Sequence, residues 1–392
     1  MIRIAFIHNN FPAGGAERVT VDIARYLSTC EGYQVYVYAS RIASALVTDS
    51  LSQILTLRQI PTQAFPARRA RQIEDYIVQD GIDILVQVTK AIPGINQIKA
   101  RTGVKTVVAC HGEPFWQRYA IVYRRQKGFF RKLMWNLYNK KRYEDGQRAM
   151  DKAVKRTYRE YLACDAYTVL CQPYKIETAE GLGINPETSH IYAIENPEYV
   201  VQEPNFDKEK IVLFCGRFEN WSKRIDRLLR IWEKVQDRLP DWRLVLVGNG
   251  ESWDMLTRMA DELSLKRVSF EGLRSNASDY YRKASIVVLT SQTEGWGLTL
   301  TEAQAHGCIP IAFGCTSGIK EVLSPEEGCG IEVAPFDEDE FAQQLVNVAR
   351  MSEEEQMGLR RNAIDRIKRY TPEIISEKWR VLFDKLSINN EQ

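Results

Sequence analysis

The stretch SQTEGWGLTLTEAQAHGCIPIAFG (291–314) gathers the residues best suited to chemistry. It follows an apolar strand pattern and opens a helical one, with Gly295 and Gly297 in the turn between them. Glycines in such a turn let the backbone approach a ligand closely. The start of the helix, at Leu298 and Thr299, offers an anion N–H groups that have no intrahelical partner. Glu294 lies in the turn and Glu302 about one turn inside the helix. Ionised carboxylates only accept hydrogen bonds, so they suit ligands that present paired hydroxyl donors. One can face a sugar at the strand tip while the other accepts ribose hydroxyls beside phosphates. Either glutamate alone reads as a helix cap or a solvated loop residue; the whole string is far more specific.

Other candidates lie at similar junctions. Gly14 and Gly15 fall where the first strand meets the first helix, the usual place for a turn that faces phosphate. Arg217 and Lys223 follow a strand and precede a helix. Two cations fixed there stabilise the charge that develops on a departing diphosphate without a metal. His111 ends a strand and is followed by Gly-Glu-Pro; a lone histidine in that place is usually structural. The four histidines (8, 111, 190, 306) form no metal-binding spacing, and His306 reads as structural. No carboxylate pair is placed as acid and nucleophile of a glycoside hydrolase. No GxGxxG follows the first strand, which disfavours a nicotinamide dehydrogenase.

The elements that must position these residues come in two series. Strand patterns at 2–9, 33–40, 54–60, 83–89, 105–110, 166–172 and 190–196 alternate with amphipathic stretches such as 16–28. After a polar, Pro-containing segment (197–210) the pattern restarts. Strands are expected at 211–218, 243–250, 267–273, 285–291, 309–314 and 330–335, with helices at 223–238, 251–264 and 298–306. Strands apolar on both faces between helices predict parallel sheets, hence two doubly wound α/β domains with a cleft between them. The expected division is 1–200, 201–371 and a last helix in 372–392 that returns to the first domain.

Bulk properties agree. A length of 392 residues suits two domains of ordinary size, and 44% hydrophobic with 27% charged residues describes a globular chain. A net charge of +2 gives no global reason to expect nucleic acid. Of eight cysteines, Cys110, Cys171, Cys215 and Cys308 sit in or beside apolar runs and none forms a CxxC pair. Reduced structural thiols in a cytoplasmic protein are therefore expected. The N-terminus reads as a first strand, and no run approaches ~18 apolar residues, so no signal peptide and no transmembrane helix are expected.

The 291–314 string resembles the signature of the retaining glycosyltransferases of family 4 (glycosyl transferases group 1, GT-B fold). Their core is EG-x-G-L-x-x-x-E-A, with two glutamates separated by seven residues. Further matches arrive in the family's order: GGAERV (14–19), ACHGEP (109–114), ENP (195–197), GRF and SKRIDRLL (216–218, 222–229), VLVGNG (245–250) and VSFEGL (268–273). The resemblance implies two Rossmann-like domains, an acceptor domain first and a nucleotide-sugar donor domain second. It implies that His111 points at the transferred sugar and that an Arg and a Lys hold the diphosphate. The spacing after Arg217 is one residue longer than the common form, with Trp221 inserted, so the cation is Lys223 or Arg224. It also implies retention by front-face attack. No DxD motif stands out, and no metal or other cofactor is expected beyond the nucleotide sugar as co-substrate. The acceptor expected is a glycan or lipid-linked glycan of a surface polysaccharide. The alternatives are a nucleotide-sugar 2-epimerase, which would interconvert the donor alone, and a non-catalytic relative that only binds it.

One segment stands apart. From 118 to 156, thirteen Lys and Arg face three acids (Glu144, Asp145 and Asp151), a local charge of +10, with Phe, Trp and Tyr interleaved. Within 115–160 this composition suits helices lying on an anionic lipid surface, at ~1 kcal/mol per cation. Peripheral attachment at the cytoplasmic face of the inner membrane is the expectation it carries; the alternatives are nucleic acid, for which no recognised binding motif is present, and a solvated connecting helix with a buried aromatic face.

Overall fold

The computed structural model describes residues 1–12, 14–126, 129–143 and 146–388, apart from the side chains of 123–131, 139 and 142. The chain forms two compact units, residues 1–197 with 372–392 and residues 198–371. The division falls at 197/198 rather than at 200/201, because Glu198 already belongs to the second unit. Its N–H donates to the Tyr370 carbonyl at 2.7 Å and its Oε2 accepts from Thr301 at 3.0 Å.

Unit 1 is built on a parallel seven-stranded sheet: β1 (Ile2–Phe11), β2 (Tyr33–Ile42), β3 (Thr56–Gln59), β4 (Ile84–Val88), β5 (Lys105–Ala109), β6 (Ala166–Val169) and β7 (Ile191–Ala193). Their spatial order is β3-β2-β1-β4-β5-β6-β7. Unit 2 repeats the scheme with β8 (Glu209–Cys215), β9 (Arg243–Val247), β10 (Val268–Gly272), β11 (Ala284–Leu289), β12 (Ile309–Phe313) and β13 (Ile331–Val333), ordered β10-β9-β8-β11-β12-β13. Every pairing is parallel. The reason is legible in the runs themselves: Ile4 to Ile7 in β1 and all of β11 are buried on both faces, as strands covered by helices on each side must be. In each sheet the order reverses beside the first strand, between β1 and β4 and between β8 and β11. Open α/β sheets bind their ligands at such switch points.

Helix α1 (Gly15–Leu27) follows β1, and α2 (Pro66–Asp80) follows β3. In unit 2, α3 (Ile225–Val235) follows β8 and α4 (Leu298–Ala305) follows β11. The last helix, α5 (Pro372–Ile388), packs along α1 inside unit 1. Trp379 and Phe383 pack with their rings tilted, centroids 5.6 Å apart, and Phe383 meets Phe6 of β1 edge-on at 6.4 Å. Tyr26 donates to Glu377 at 2.8 Å, and Tyr33 donates to Asp384.

Three expectations need correction. The strands foreseen at 54–60, 190–196 and 330–335 shrink to Thr56–Gln59, Ile191–Ala193 and Ile331–Val333. They lie at sheet edges, but the interior strands foreseen at 166–172 and 243–250 shorten as much, to Ala166–Val169 and Arg243–Val247. The helix foreseen across 223–238 is broken: a short turn (Asn220–Lys223) precedes α3, and Arg224 between them sits at φ 47°, left-handed and rare for a residue with a side chain. Cys215 is only half-buried, whereas Cys110, Cys171 and Cys308 are buried; none of the eight cysteines forms a disulfide.

Within the basic segment, helices run over Gln117–Gln126, Phe129–Met134, Lys140–Tyr143 and Gln147–Leu162. Arg124, Arg125, Lys127, Arg131, Arg142, Glu144 and Asp145 lie outside the described residues or side chains. Among the described residues no helix is long and apolar enough to cross a membrane.

Candidate active site

In unit 2 the turn after β11 and the turn after β8 meet at the switch point. Lys223 Nζ donates to Glu294 Oε1 at 2.5 Å, with the two side chains 18% and 11% exposed. Ser291 Oγ donates to the same oxygen at 2.6 Å. The left-handed Arg224 explains how Lys223 gets there. It ends the short turn and redirects the chain, so that Lys223 faces β11 while Arg224 turns to Asp226 in a two-pronged pair, both bonds at 2.9 Å. Of the two cations left open by the spacing, Lys223 is the one beside Glu294. Arg217 is not drawn into this pair: its side chain is 78% exposed, 3.5 Å from Glu219.

Gly297 caps α4 at φ 77°, a conformation that costs glycine nothing. A Cβ there would lie 2.7 Å from Ile319 Cδ1, so no larger residue fits without a shift. No side chain caps the helix start, which leaves the N–H groups of its first turn, at Leu298 and Thr299, to whatever binds. Gly295 lies in the turn just before, next to Glu294. Glu302, in the second turn, is held from behind by a residue that sequence reasoning missed. Tyr281 is buried, and its hydroxyl donates to Glu302 Oε2 at 2.8 Å. Burial and the Glu302 charge push the Tyr281 hydroxyl well above its ordinary pKa, so it stays a donor. Nothing in the sequence around Tyr281 marks it. His306 sits behind the same helix: its Nδ1 lies 2.8 Å from the Glu302 carbonyl and its Nε2 2.9 Å from Ser278 Oγ.

In unit 1, Gly14 caps α1 at φ 134°, again with no side-chain cap, and Gly15 opens the helix. A Cβ on Gly14 would collide with the Glu17 carboxylate. His111 follows β5, and its Nδ1 lies 3.1 Å from Oδ1 of Asn196, a buried residue of the ENP triplet. With the amide oxygen accepting from Nδ1–H, Nε2 keeps its lone pair for a hydroxyl. Burial drives the His111 pKa down to about 4, against a small upward pull from Asn196, so the ring is neutral near pH 7. Among the described residues no group of three His, Cys, Asp or Glu could hold a metal ion.

Unit 2 therefore presents a charged carboxylate–lysine pair, an uncapped helix start and a carboxylate braced by tyrosine. Unit 1 presents a neutral imidazole and a second uncapped helix start. Known proteins share the sequence pattern and the fold of both units. The Glycosyltransferase Family 4 model matches residues 13–197, and the model for glycosyl transferases group 1 matches residues 195–366. An uncharacterized glycosyltransferase of Haemophilus influenzae is 26% identical over 335 residues, covering 82% of this chain and 83% of its own length. The Campylobacter jejuni GalNAc-alpha-(1->4)-GalNAc-alpha-(1->3)-diNAcBac-PP-undecaprenol alpha-1,4-N-acetyl-D-galactosaminyltransferase is 22% identical over 404 residues, covering 97% of each. The structure of Anabaena HepE in complex with UDP-glucose has the same fold, with a TM-score of 0.72 at 16% identity over 98% of this chain and 100% of that one. The two models meet at the boundary between the units and together leave only the ends of the chain unmatched: the chain is a glycosyltransferase of family 4, with the GT-B fold.

Proposed function

We propose that this glycosyltransferase moves a sugar, with retention of its anomeric configuration, from a nucleotide-sugar donor to a glycan or lipid-linked glycan in the assembly of a surface polysaccharide. The observation that carries the reading is the Lys223–Glu294 pair beside the uncapped start of α4. A nucleoside diphosphate placed there would meet the N–H groups at Leu298 and Thr299, the Lys223 ammonium and the exposed Arg217 guanidinium. Those cations stabilise the charge on the departing diphosphate, a task otherwise given to a metal. Glu302 takes the ribose hydroxyls, held in place by Tyr281. Glu294 accepts a hydrogen bond from the transferred sugar; in unit 1 the neutral His111 ring offers Nε2 as an acceptor to a sugar hydroxyl. The leaving phosphate takes the acceptor's proton as the new bond forms on the same face. The Campylobacter relative, named for an undecaprenol-diphosphate-linked acceptor, supports the class of acceptor.

The basic segment belongs to the same reading. Exposed Leu133, Leu137 and Tyr138 stand among its cations, a pattern suited to an anionic lipid surface on which a lipid-linked acceptor would be met.

A thermal-shift screen against UDP, GDP, ADP, CMP and dTDP and their sugars, in EDTA, tests the core of this reading. A rise in midpoint with one nucleotide family supports it, because a ligand bound only by the native state must raise stability. Turnover with the matching donor, followed by NMR of the product's anomeric proton, then decides retention. An inverted product or strict dependence on added metal would overturn that part.

A further inference from the structure

A cavity of about 180 Å³ opens in unit 1 at the carboxyl ends of β1 and β4, the switch point of that sheet. It is smaller than the roughly 300–1,000 Å³ of sites for drug-sized ligands, and so suits a single sugar unit rather than a nucleotide. The turn at Gly14 borders it through Ala16 and Glu17, and Trp116 supplies an aromatic wall. The acid is engaged: Glu17 Oε1 lies 3.4 Å from His8 Nδ1, and His8 Nε2 lies 2.9 Å from Thr20 Oγ1.

The cations are placed differently. Arg69 of α2 lines the cavity and is only 5% exposed. Its Nη1 donates to Ser40 Oγ and, at 3.1 Å, to the Pro61 carbonyl, both neutral acceptors. Among the described residues no carboxylate pairs with it, and burial alone lowers its pKa. A buried guanidinium is costly unless an anion completes it. Lys90 adds a second positive charge to the same lining, donating to Gln63 Oε1 at 2.9 Å. Between Lys90 and β4, Thr89 holds φ 76°, a strained conformation for a β-branched residue and one that clusters at ligand sites.

We propose that this cavity holds the acceptor sugar, and that the sugar carries an oxyanion, a carboxylate or a phosphate ester, which Arg69 meets with its remaining N–H donors. The proposal rests on the transferase reading above and adds the chemical class of acceptor. A guanidinium fork is matched to such planar or tetrahedral oxyanions, and a neutral sugar would leave its charge uncompensated.

The test is calorimetric titration of the full chain with methyl glucuronide, glucose 6-phosphate and methyl glucoside. One of the two charged sugars is expected to bind about tenfold or more tightly than the neutral one, the effect of a charged hydrogen-bonded contact. Which of them does so distinguishes carboxylate from phosphate. Arg69→Gln should abolish the preference. Because Arg69 also ties Ser40 to the Pro61 carbonyl, Lys90→Glu is the second variant; it adds a carboxylate to the lining and should weaken the charged sugar selectively. Equal or absent binding of charged and neutral sugars by the parent chain overturns the proposal, as does an unchanged preference in both variants. Nucleotide binding measured on the same samples separates the two failures. Nucleotide binding without sugar discrimination sinks only this inference, whereas no nucleotide binding sinks the donor site on which it rests.

Discussion

The two sheets share the order of their first six strands but differ in the electrostatics of particular strand tips. At β8 and β11 the side chains are charged and paired, Lys223 on Glu294 at 2.5 Å. After β5 in unit 1 the corresponding polar group is neutral, His111 on the Asn196 amide, with its pKa driven down to about 4 by burial. Both helix starts are capped by glycine without a side-chain cap. The same α/β frame thus carries a charged, paired group at one set of strand tips and, after β5, a neutral ring that avoids the cost of burying a charge. Their difference lies in residues at strand tips, not in topology.

The sharpest way to break that comparison is Glu302→Ala. It removes a charged acceptor for paired hydroxyls and should cut kcat/KM for the donor about a hundredfold, since such hydrogen bonds are worth ~1.5–3 kcal/mol each. Unchanged steady-state turnover would remove Glu302 from the site. Next in size, Lys223→Met should lower kcat tens-fold by leaving Glu294 without its cation and the leaving group without a counter-charge, ~2 kcal/mol, the low end for truncating one partner of a desolvated pair. Arg224→Met, whose partner is Asp226, should cost far less. Equal losses in the two variants would mean that both cations serve the diphosphate.

A smaller effect is expected behind Glu302. Tyr281→Phe deletes one hydroxyl with little change in volume and should raise the donor KM about tenfold with kcat nearly unchanged, as loss of a single charge-assisted bond does. A kcat loss without a KM change would mean that Tyr281 serves the fold of unit 2 more than the carboxylate. The gentlest test concerns His111. Its folded-state pKa lies below the ordinary 6.5, so the unfolded chain binds the proton first. Stability should therefore fall as pH drops through 6.5 toward 4 and flatten below that. NMR titration should find the ring neutral near pH 7, and His111→Gln should flatten this part of the stability profile. A ring that titrates near 6.5 would erase the contrast between the two sites.

Much of this was legible before any coordinates. Apolar runs such as IRIAFIHN and SIVVLTS are buried on both faces, and that burial forces parallel strands under helices, so the two doubly wound sheets follow from periodicity. The glycines at 14 and 297 sit where the backbone has positive φ, as a turn between strand and helix needs. Strand ends are overextended at the edges and inside the sheets alike, because an apolar run does not reveal where pairing stops. The unbroken helix across 223–238 failed for a different reason. Arg224 has ordinary helical propensity; in its left-handed conformation its guanidinium pairs with Asp226 while the neighbouring Lys223 pairs with Glu294, contacts that the linear sequence does not show.

The sequence by itself determined the fold, the order of the elements and the family, because these depend on local periodicity and on residues close together along the chain. Tertiary structure alone decided which cation stands beside Glu294, that Tyr281 braces Glu302, that Asn196 fixes the His111 ring, and that Arg69 is buried with no carboxylate partner among the described residues. Each of these joins side chains distant in sequence, and the energy of a polar group depends on its burial and its partners, neither of which a linear spacing records.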